Sequence, residues 1–353
     1  MKDTGKNFAR TWWPIRQIRW FNFCFFIFIS YKIHSNMKKK IAILGSTGSI
    51  GKQTLDIIKN NKNYFDIILL STNKNVKEIS KQVKLFKPKN LIINDTKKFN
   101  LFKKKNKKIN IFNNYKCFKK IFKKKVDYAM SSISGFSGLQ PTIDIIKYTR
   151  TIAIANKESI ICGWNLIDRQ LKKNKTQFVP IDSEHFSIWS LLYNKKENID
   201  KIYITASGGP FLNKKINTLK NIKPMHAINH PRWKMGKKIS VDSATMINKV
   251  FEILEAKKIF NISLKKLKIL LHPDSYVHAI VKFKNGLTKM LIHETSMKIP
   301  IFNSLYINQK INFKSKAINF NYLNNLNFQK PNKNQFSSLR IIKEFNSTND
   351  SLY

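Results

Sequence analysis

From Met37 onward, short apolar runs alternate with longer stretches in which apolar residues return every three or four positions. The short runs predict strands at Lys40–Leu44, Asp66–Ser71, Asn90–Ile93, Val126–Met130, Thr151–Ala155 and Phe178–Ile181. The longer periodicity predicts helices at Ile50–Lys59, Val76–Phe86, Gly138–Lys147 and Ser159–Leu171. Strand runs that are apolar on both faces, separated by helices, imply a parallel sheet covered on both sides, hence an α/β, Rossmann-like doubly wound domain. Near Asp182 the alternation gives way to loops, scattered helices and β-ribbons, which predicts an α+β domain. The expected division is an extension at 1–36, a nucleotide-binding domain at 37–182, a catalytic domain at 183–318, and a linker with the start of a helical domain at 319–353.

The extension differs from the rest by its Trp, Phe and Arg content. Its apolar run, Trp20 to Tyr31, is shorter than the roughly twenty residues that span a bilayer. Met37 opens directly onto the first strand and is the expected start; a membrane anchor is the alternative. The chain has 66 Lys and Arg against 20 Asp and Glu, a formal charge of +46. Its lysines are dispersed, as at Lys103, Lys123, Lys172, Lys214 and Lys265, and no helix-turn-helix, zinc-finger or RNA-binding signature accompanies them. A basic composition rich in Lys, Asn, Ile and Phe is therefore read as compositional drift, with no nucleic-acid partner expected. The Lys-rich stretches Lys103–Lys108 and Lys119–Lys125 read as solvated helix faces. Cys24, Cys117 and Cys162 have no paired spacing, which argues against a disulfide framework and a zinc site and suits the cytoplasm.

The segment Gly45-Ser46-Thr47-Gly48-Ser49-Ile50-Gly51 sits between the first strand and the first helix. Glycines there permit a tight turn and the approach of a pyrophosphate to backbone N–H groups at a helix N-terminus; a merely structural turn is the alternative. After the second strand, Ser71-Thr72-Asn73-Lys74-Asn75 carries a cation where an NAD-binding domain places an acid, which favours NADPH. Asp182 and Glu184 are two apart on what reads as an extended segment, so both face one way, as hard oxygen ligands for Mg²⁺ or Mn²⁺. Asn248 and Glu252 are i and i+4 on a predicted helix, and Glu252 is placed to complete such a site. Asp182 as a helix cap and Glu252 paired with Lys249 on the surface are the alternatives.

Four further segments carry a resemblance. They are Ala155-Asn156-Lys157-Glu158-Ser159, Pro180-Ile181-Asp182-Ser183-Glu184-His185, Ala206-Ser207-Gly208-Gly209-Pro210-Phe211, and the run from His230-Pro231-Arg232-Trp233 through Gly236 to Ser243-Ala244-Thr245-Met246-Ile247-Asn248-Lys249. With the glycine turn, in this order, the chain resembles the 1-deoxy-D-xylulose 5-phosphate reductoisomerase family from Met37 to about Ser347. The resemblance implies an NADPH-dependent rearrangement, by retro-aldol cleavage and re-addition, and reduction of that phosphorylated sugar to 2-C-methyl-D-erythritol 4-phosphate. It implies Asp182, Glu184 and Glu252 as ligands of one Mn²⁺ or Mg²⁺, and a homodimer.

By the same resemblance, Ser207, Ser243, Asn248 and Lys249 hold the substrate phosphate, and Lys157, Ser183 and Glu184 contact the substrate. Thr47, Gly48, Ser49, Ile50, Asn73, Lys74, Asn75, Asn156, Glu158 and Gly236 meet the cofactor. Lys157, Glu184, His230 and Glu252 carry the catalysis, with His230, Trp233 and Met235 on a flap that closes over the substrate. His185, His272 and His278 are expected to be supporting residues.

Two positions depart from the family pattern: Asn73 stands where a glycine is usual, and Thr295–Pro300 replaces a more acidic segment. The sequence also stops soon after the start of the family's C-terminal helical domain, so that domain is expected to be largely absent. An inactive remnant that still binds NADPH is the alternative reading of function. A basic protein binding nucleic acid or a membrane surface is the third.

Overall fold

The structure, a computed structural model, describes residues 38–106, 108–192, 198–233, 236–307 and 309–346. The 1–36 extension, Met37 and the flap residue Met235 lie outside these residues. Seven strands form the first sheet: β1 (Lys39–Leu44), β2 (Phe65–Thr72), β3 (Asn90–Ile93), β4 (Asn110–Phe112), β5 (Val126–Ser131), β6 (Thr149–Ile154) and β7 (Gln177–Pro180). Their order is β4-β3-β2-β1-β5-β6-β7, with parallel pairing. The chain winds outward from β1 in both directions, which leaves a crevice at the carboxyl ends of β1 and β5, where ligands bind in such sheets.

Alternation along β1 explains why both faces of this sheet are covered. Ile41 and Ile43 point into one core, with Leu55 and Ile58 of α1 (Ser49–Asn60), Ile79 of α2 (Val76–Phe86) and Phe102 of α3 (Thr96–Lys105). Ala42 and Leu44 point into the other, with Ile145 of α4 (Leu139–Ile146) and Ile160 and Ile167 of α5 (Lys157–Asn174). Each Ile or Leu buried in this way contributes about 1.5–3 kcal/mol.

After α6 (Ser183–Leu192) comes a second sheet of β8 (Ile199–Ala206), β9 (Leu267–Leu271), β10 (Val277–Phe283) and β11 (Thr288–Ile292), in the order β11-β10-β8-β9. Between β8 and β9 lie α7 (Lys237–Ala244) and α8 (Ile247–Phe260). Ile202, Ile204, Val281 and Phe283 of this sheet pack against Ile188 of α6 and Ile253 and Ala256 of α8. A further helix, α9 (Lys298–Leu305), returns Ile301, Phe302 and Leu305 to the first core.

Three local readings differ from the sequence pattern. The helical turn Phe118–Ile121 stops before Lys123–Lys125, because Phe122 turns its side chain into the core and the backbone becomes extended toward β5. β6 begins at Thr149, paired with Val126, where polar Thr149 and Arg150 hide the strand signal. Ser183 and Glu184 belong to the first turn of α6, so Asp182 and Glu184 do not share an extended segment.

Candidate active site

The glycine turn is shaped by contact with the chain just after β5. Gly45 has φ +78°, and a Cβ there would lie 2.7 Å from the Ser132 carbonyl oxygen. A Cβ at Gly51 would meet the Gly45 carbonyl oxygen at 2.5 Å, so a side chain is excluded where α1 leaves the turn. Gly48 differs: its φ is −78°, and the nearest atom to an added Cβ is at 3.4 Å. The protein's own packing leaves that glycine free, as a cradle for an approaching phosphate requires.

Asp182 follows β7 and caps α6. Its Oδ1 accepts from the backbone N–H groups of Glu184 at 3.2 Å and His185 at 3.4 Å. The capping that stood as the alternative to a ligand role is therefore real, and it aims Asp182 rather than consuming it. A ligand oxygen from each of Asp182, Glu184 and Glu252 lies within 4.8 Å of the others. Glu252 reaches the group from α8, whose start is set by Met246 at φ +60°. The Asn248 amide donates to the Glu252 carboxylate, one turn along the same face.

Two lysines thread these carboxylates. Lys249 Nζ is 2.6 Å from Glu184 and 2.6 Å from Glu252, a pair that is buried rather than on the surface. Lys157 Nζ is 2.6 Å from Asp182, 3.5 Å from Glu252 and 3.3 Å from Glu255. Burial works against the Lys157 charge, but Asp182, Glu255 and Glu252 outweigh it and hold the ammonium well above the usual lysine value. Burial opposes the Asp182 charge too, yet Lys157 and His185 keep it well below the usual carboxylate range. Burial and neighbouring Glu184 push Glu252 up to about 7 despite its lysines.

His185 stands behind Asp182. Its Nε2 donates to the Glu252 backbone carbonyl at 2.9 Å, and its Nδ1 lies 3.1 Å from Asp182 Oδ1. Burial opposes its charge, while Glu255 and Asp182 raise it to about 9, so both nitrogens carry hydrogen at neutral pH.

On the far side of the cavity, Ser207 Oγ is 3.0 Å from His230 Nε2. His230 Nδ1 accepts the backbone N–H groups of Arg232 at 3.1 Å and Trp233 at 2.9 Å. Nε2 therefore holds the single hydrogen and donates to Ser207. Burial, helped by Lys249, lowers His230 to about 4, so the ring stays neutral. Gly209 has φ +66°, and a Cβ there would lie 2.8 Å from the Ser243 carbonyl oxygen, which brings the Ser207 loop against the end of α7. Ser207, Ser243, Asn248 and Lys249 consequently line the same cavity, of about 820 Å³, as the carboxylates.

Ser49, Ile50, Asn156, Lys157, Glu158, Ser183, His230 and Gly236 line that cavity as well. Thr47 and Gly48 do not, and neither do Asn73, Lys74 and Asn75, which sit exposed at the carboxyl end of β2. Thr47 Oγ1 meets Thr72 Oγ1 at 2.8 Å, and Asn75 caps α2 by accepting the Glu78 N–H at 3.1 Å. Buried Asn156 accepts the Ser159 N–H at 2.8 Å and donates to the carbonyls of Ile133 and Gly135, tying the loop after β5 to the start of α5. Glu158 pairs with Lys238 at 3.2 Å.

A family model described as 1-deoxy-D-xylulose 5-phosphate reductoisomerase matches residues 41–163, and one for that enzyme's C-terminal domain matches residues 178–260. The 1-deoxy-D-xylulose 5-phosphate reductoisomerase of Pelagibacter ubique is 59% identical over 320 residues, spanning 89% of this chain and 82% of its own length. This chain belongs to the 1-deoxy-D-xylulose 5-phosphate reductoisomerase family. The reductoisomerase of Wolbachia pipientis from Culex pipiens is 39% identical over 87% of this chain and 79% of its own. Among solved structures, the reductoisomerase from Zymomonas mobilis in complex with NADPH superposes with a TM-score of 0.80 at 31% identity, over 87% of this chain and 81% of that one. A reductoisomerase in complex with NADPH, fosmidomycin and magnesium superposes with a TM-score of 0.79 at 30% identity, over 87% and 79%.

Within this site, sequence reading passed over Glu255. It is buried, lines the cavity, and lies one turn beyond Glu252 on α8. The available signal was that i, i+3 spacing of two acids on one helix face. His185 was expected as a supporting residue, and its place between Asp182, Glu252 and Glu255 fits that expectation.

Proposed function

We propose that this cavity is where the chain performs its family's reaction, with the residue roles that follow. That reaction is the NADPH-dependent rearrangement and reduction of 1-deoxy-D-xylulose 5-phosphate to 2-C-methyl-D-erythritol 4-phosphate, a step toward isoprenoid precursors. The observation that carries the proposal is the convergence of Asp182, Glu184 and Glu252 within 4.8 Å beside a cavity that extends to the glycine turn. The residues fit a hard divalent cation: all three are oxygen donors, each already holds an ammonium, and the buried Asn248 Oδ1 beside them has no hydrogen-bond partner. The turn fits a dinucleotide, since Gly48 alone of its glycines has no packing reason to lack a side chain.

What binding supplies is polarisation of the substrate oxygens by Mg²⁺ or Mn²⁺ and a hydride from NADPH. Asp182, Glu184 and Glu252 hold the ion, and Lys157, anchored among acids, presents its ammonium to a substrate oxygen. Ser183 contacts the substrate beside Glu184. Ser207, Ser243, Asn248 and Lys249 supply hydroxyl, amide and ammonium donors for the phosphate dianion. Neutral His230 orients Ser207 and helps to close the cavity. Thr47, Gly48, Ser49 and Ile50 receive the pyrophosphate, while Asn73, Lys74 and Asn75 stand at the strand end suited to the 2′-phosphate. Asn156, Glu158 and Gly236 border the nicotinamide.

The test follows NADPH absorbance with 1-deoxy-D-xylulose 5-phosphate and Mg²⁺ or Mn²⁺, with Asp182→Asn and Glu252→Gln alongside. Substrate-dependent oxidation lost in both variants is expected. A folded, NADPH-binding chain that never turns over would overturn the proposal in favour of the remnant. The same reading includes division at 37–182 and 183–318, the cytoplasm as the setting, and a homodimer. Supporting the dimer, β11 is an edge strand of its sheet and leaves Met290 exposed. Among the described residues, no helix is long and apolar enough to cross a membrane.

A further inference from the structure

The buried residues of α2 are Ile79 and Gln82, one turn apart on the face that meets the sheet. A glutamine in a core-facing position, only 4% exposed, needs partners. Both ends of its amide are spent on one residue of the glycine turn. Gln82 Nε2 donates to the Ser46 carbonyl at 2.9 Å, and Ser46 Oγ donates to Gln82 Oε1 at 2.7 Å. The pairing spans 36 residues and leaves the amide one orientation, since a carbonyl only accepts. The neighbouring peptide is held as well: Ser46 N–H donates to the Ser71 carbonyl at 2.9 Å and Gly45 N–H to Ser71 Oγ at 2.9 Å.

In a planar trans peptide the C=O and the following N–H point in opposite directions. With the Ser46 carbonyl drawn toward buried Gln82, the Thr47 N–H is turned away from Gln82, and the next two residues, Gly48 and Ser49, are exposed. We propose that Gln82 is a positioning residue for NADPH: by gripping the Ser46 carbonyl it aims the Thr47 N–H at the cofactor's pyrophosphate. This rests on the reading of the glycine turn as the pyrophosphate site. An apolar residue at position 82 would fill the core equally well but would leave the Ser46–Thr47 peptide free to rotate.

The experiment measures NADPH affinity of the full chain by quenching of protein fluorescence, with melting temperature and steady-state kinetics in parallel. Gln82→Met keeps the length of the side chain and loses both hydrogen bonds. Ser46→Ala keeps the carbonyl that fixes the amide's orientation and loses the hydroxyl that meets Gln82 Oε1 and the Ser71 carbonyl, and serves where the methionine variant does not fold. Gly48→Val blocks the turn itself at a position where the protein has room for a side chain.

For Gln82→Met the NADPH Kd is expected to rise roughly tenfold, the loss of one charge-assisted hydrogen bond, while kcat at saturating NADPH and KM for the sugar phosphate hold. Ser46→Ala is expected to shift Kd in the same direction by less. A lowered melting temperature with an unchanged Kd, while Gly48→Val weakens binding, would overturn the role of Gln82 and leave it purely structural. An unchanged Kd in Gly48→Val as well would instead overturn the reading of the turn.

Discussion

The Lys157 ammonium lies 3.3 Å from the Glu255 carboxylate, across 98 residues of chain. Of the four acids that pair with Lys157 and Lys249, Glu255 is the one outside the converging trio of Asp182, Glu184 and Glu252. It is thus the partner Lys157 keeps when the trio is engaged elsewhere. Glu255→Gln retains the shape and removes the charge, and kcat/KM is expected to fall by roughly 10–100-fold, the value of one charge-assisted contact. Steady-state kinetics on a variant verified as folded decides it; a wild-type kcat/KM would show that Asp182 and Glu252 hold Lys157 without Glu255. Glu255→Ala leaves Lys157 and His185 short of a buried counter-ion and is expected to cost about 3–5 kcal/mol, measured by urea unfolding.

Metal affinity should depend on pH through Glu252. Burial and Glu184 raise this group to about 7, so below that pH it takes up a proton that competes with a cation. Mn²⁺ binding followed by electron paramagnetic resonance is expected to weaken as pH falls from 8 to 6, and to lose that dependence in Glu252→Gln. A flat profile in the wild type would mean that Glu252 is ionised throughout. In the metal-free chain the dependence runs the other way: a carboxyl raised in the folded state stabilises below its unfolded value of 4.5, and that stability is lost as pH rises through 7.

Removal of divalent ions leaves the acids facing, among the described residues, Lys157, Lys249 and His185 for neutralisation. Added Mg²⁺ should therefore raise the melting temperature, with a stabilisation of about 2.7 kcal/mol at a hundred times its Kd. Asp182→Asn is expected to abolish the shift. A shift that survives in this variant would place the bound ion elsewhere.

His230 should not titrate near neutrality. Its value is lowered to about 4, so from pH 6.5 down to 4 the unfolded chain binds a proton that the folded chain refuses. Stability present above 6.5 is lost as pH falls through that window. Nitrogen-15 NMR of labelled histidine, assigned with His230→Asn, is expected to show a neutral ring with hydrogen on Nε2 at pH 6. An imidazolium signal would contradict the donation to Ser207.

Gly209→Ala tests how the proposed phosphate donors are assembled. Its φ of +66° disfavours any side chain by about 1–2 kcal/mol, and the added Cβ would meet the Ser243 carbonyl at 2.8 Å. Moving the Ser207 loop from Ser243 should raise KM for the sugar phosphate more than tenfold and leave NADPH affinity unchanged. Equal losses in both would locate the damage in the fold rather than in the phosphate site.

Local pattern was enough for six of the seven strands of the first sheet; β4, three residues long at the sheet edge, left no readable run. Val76–Phe86 and Asn90–Ile93 were placed residue for residue, because apolar periodicity records which face of an element is buried. Gly45, Asp182, Glu184 and Glu252 stood out as residue types suited to a phosphate turn and oxygen ligands, although the extended spacing read for Asp182 and Glu184 is a helix start in the structure. The tertiary structure decided which residues meet. Asp182 is a helix cap as well as a ligand candidate, Lys249 is buried between two acids, and Glu255 and Gln82 act across 98 and 36 residues. No periodicity encodes such pairings, since a buried glutamine on α2 and a second glutamate on α8 acquire their partners only when the helices dock.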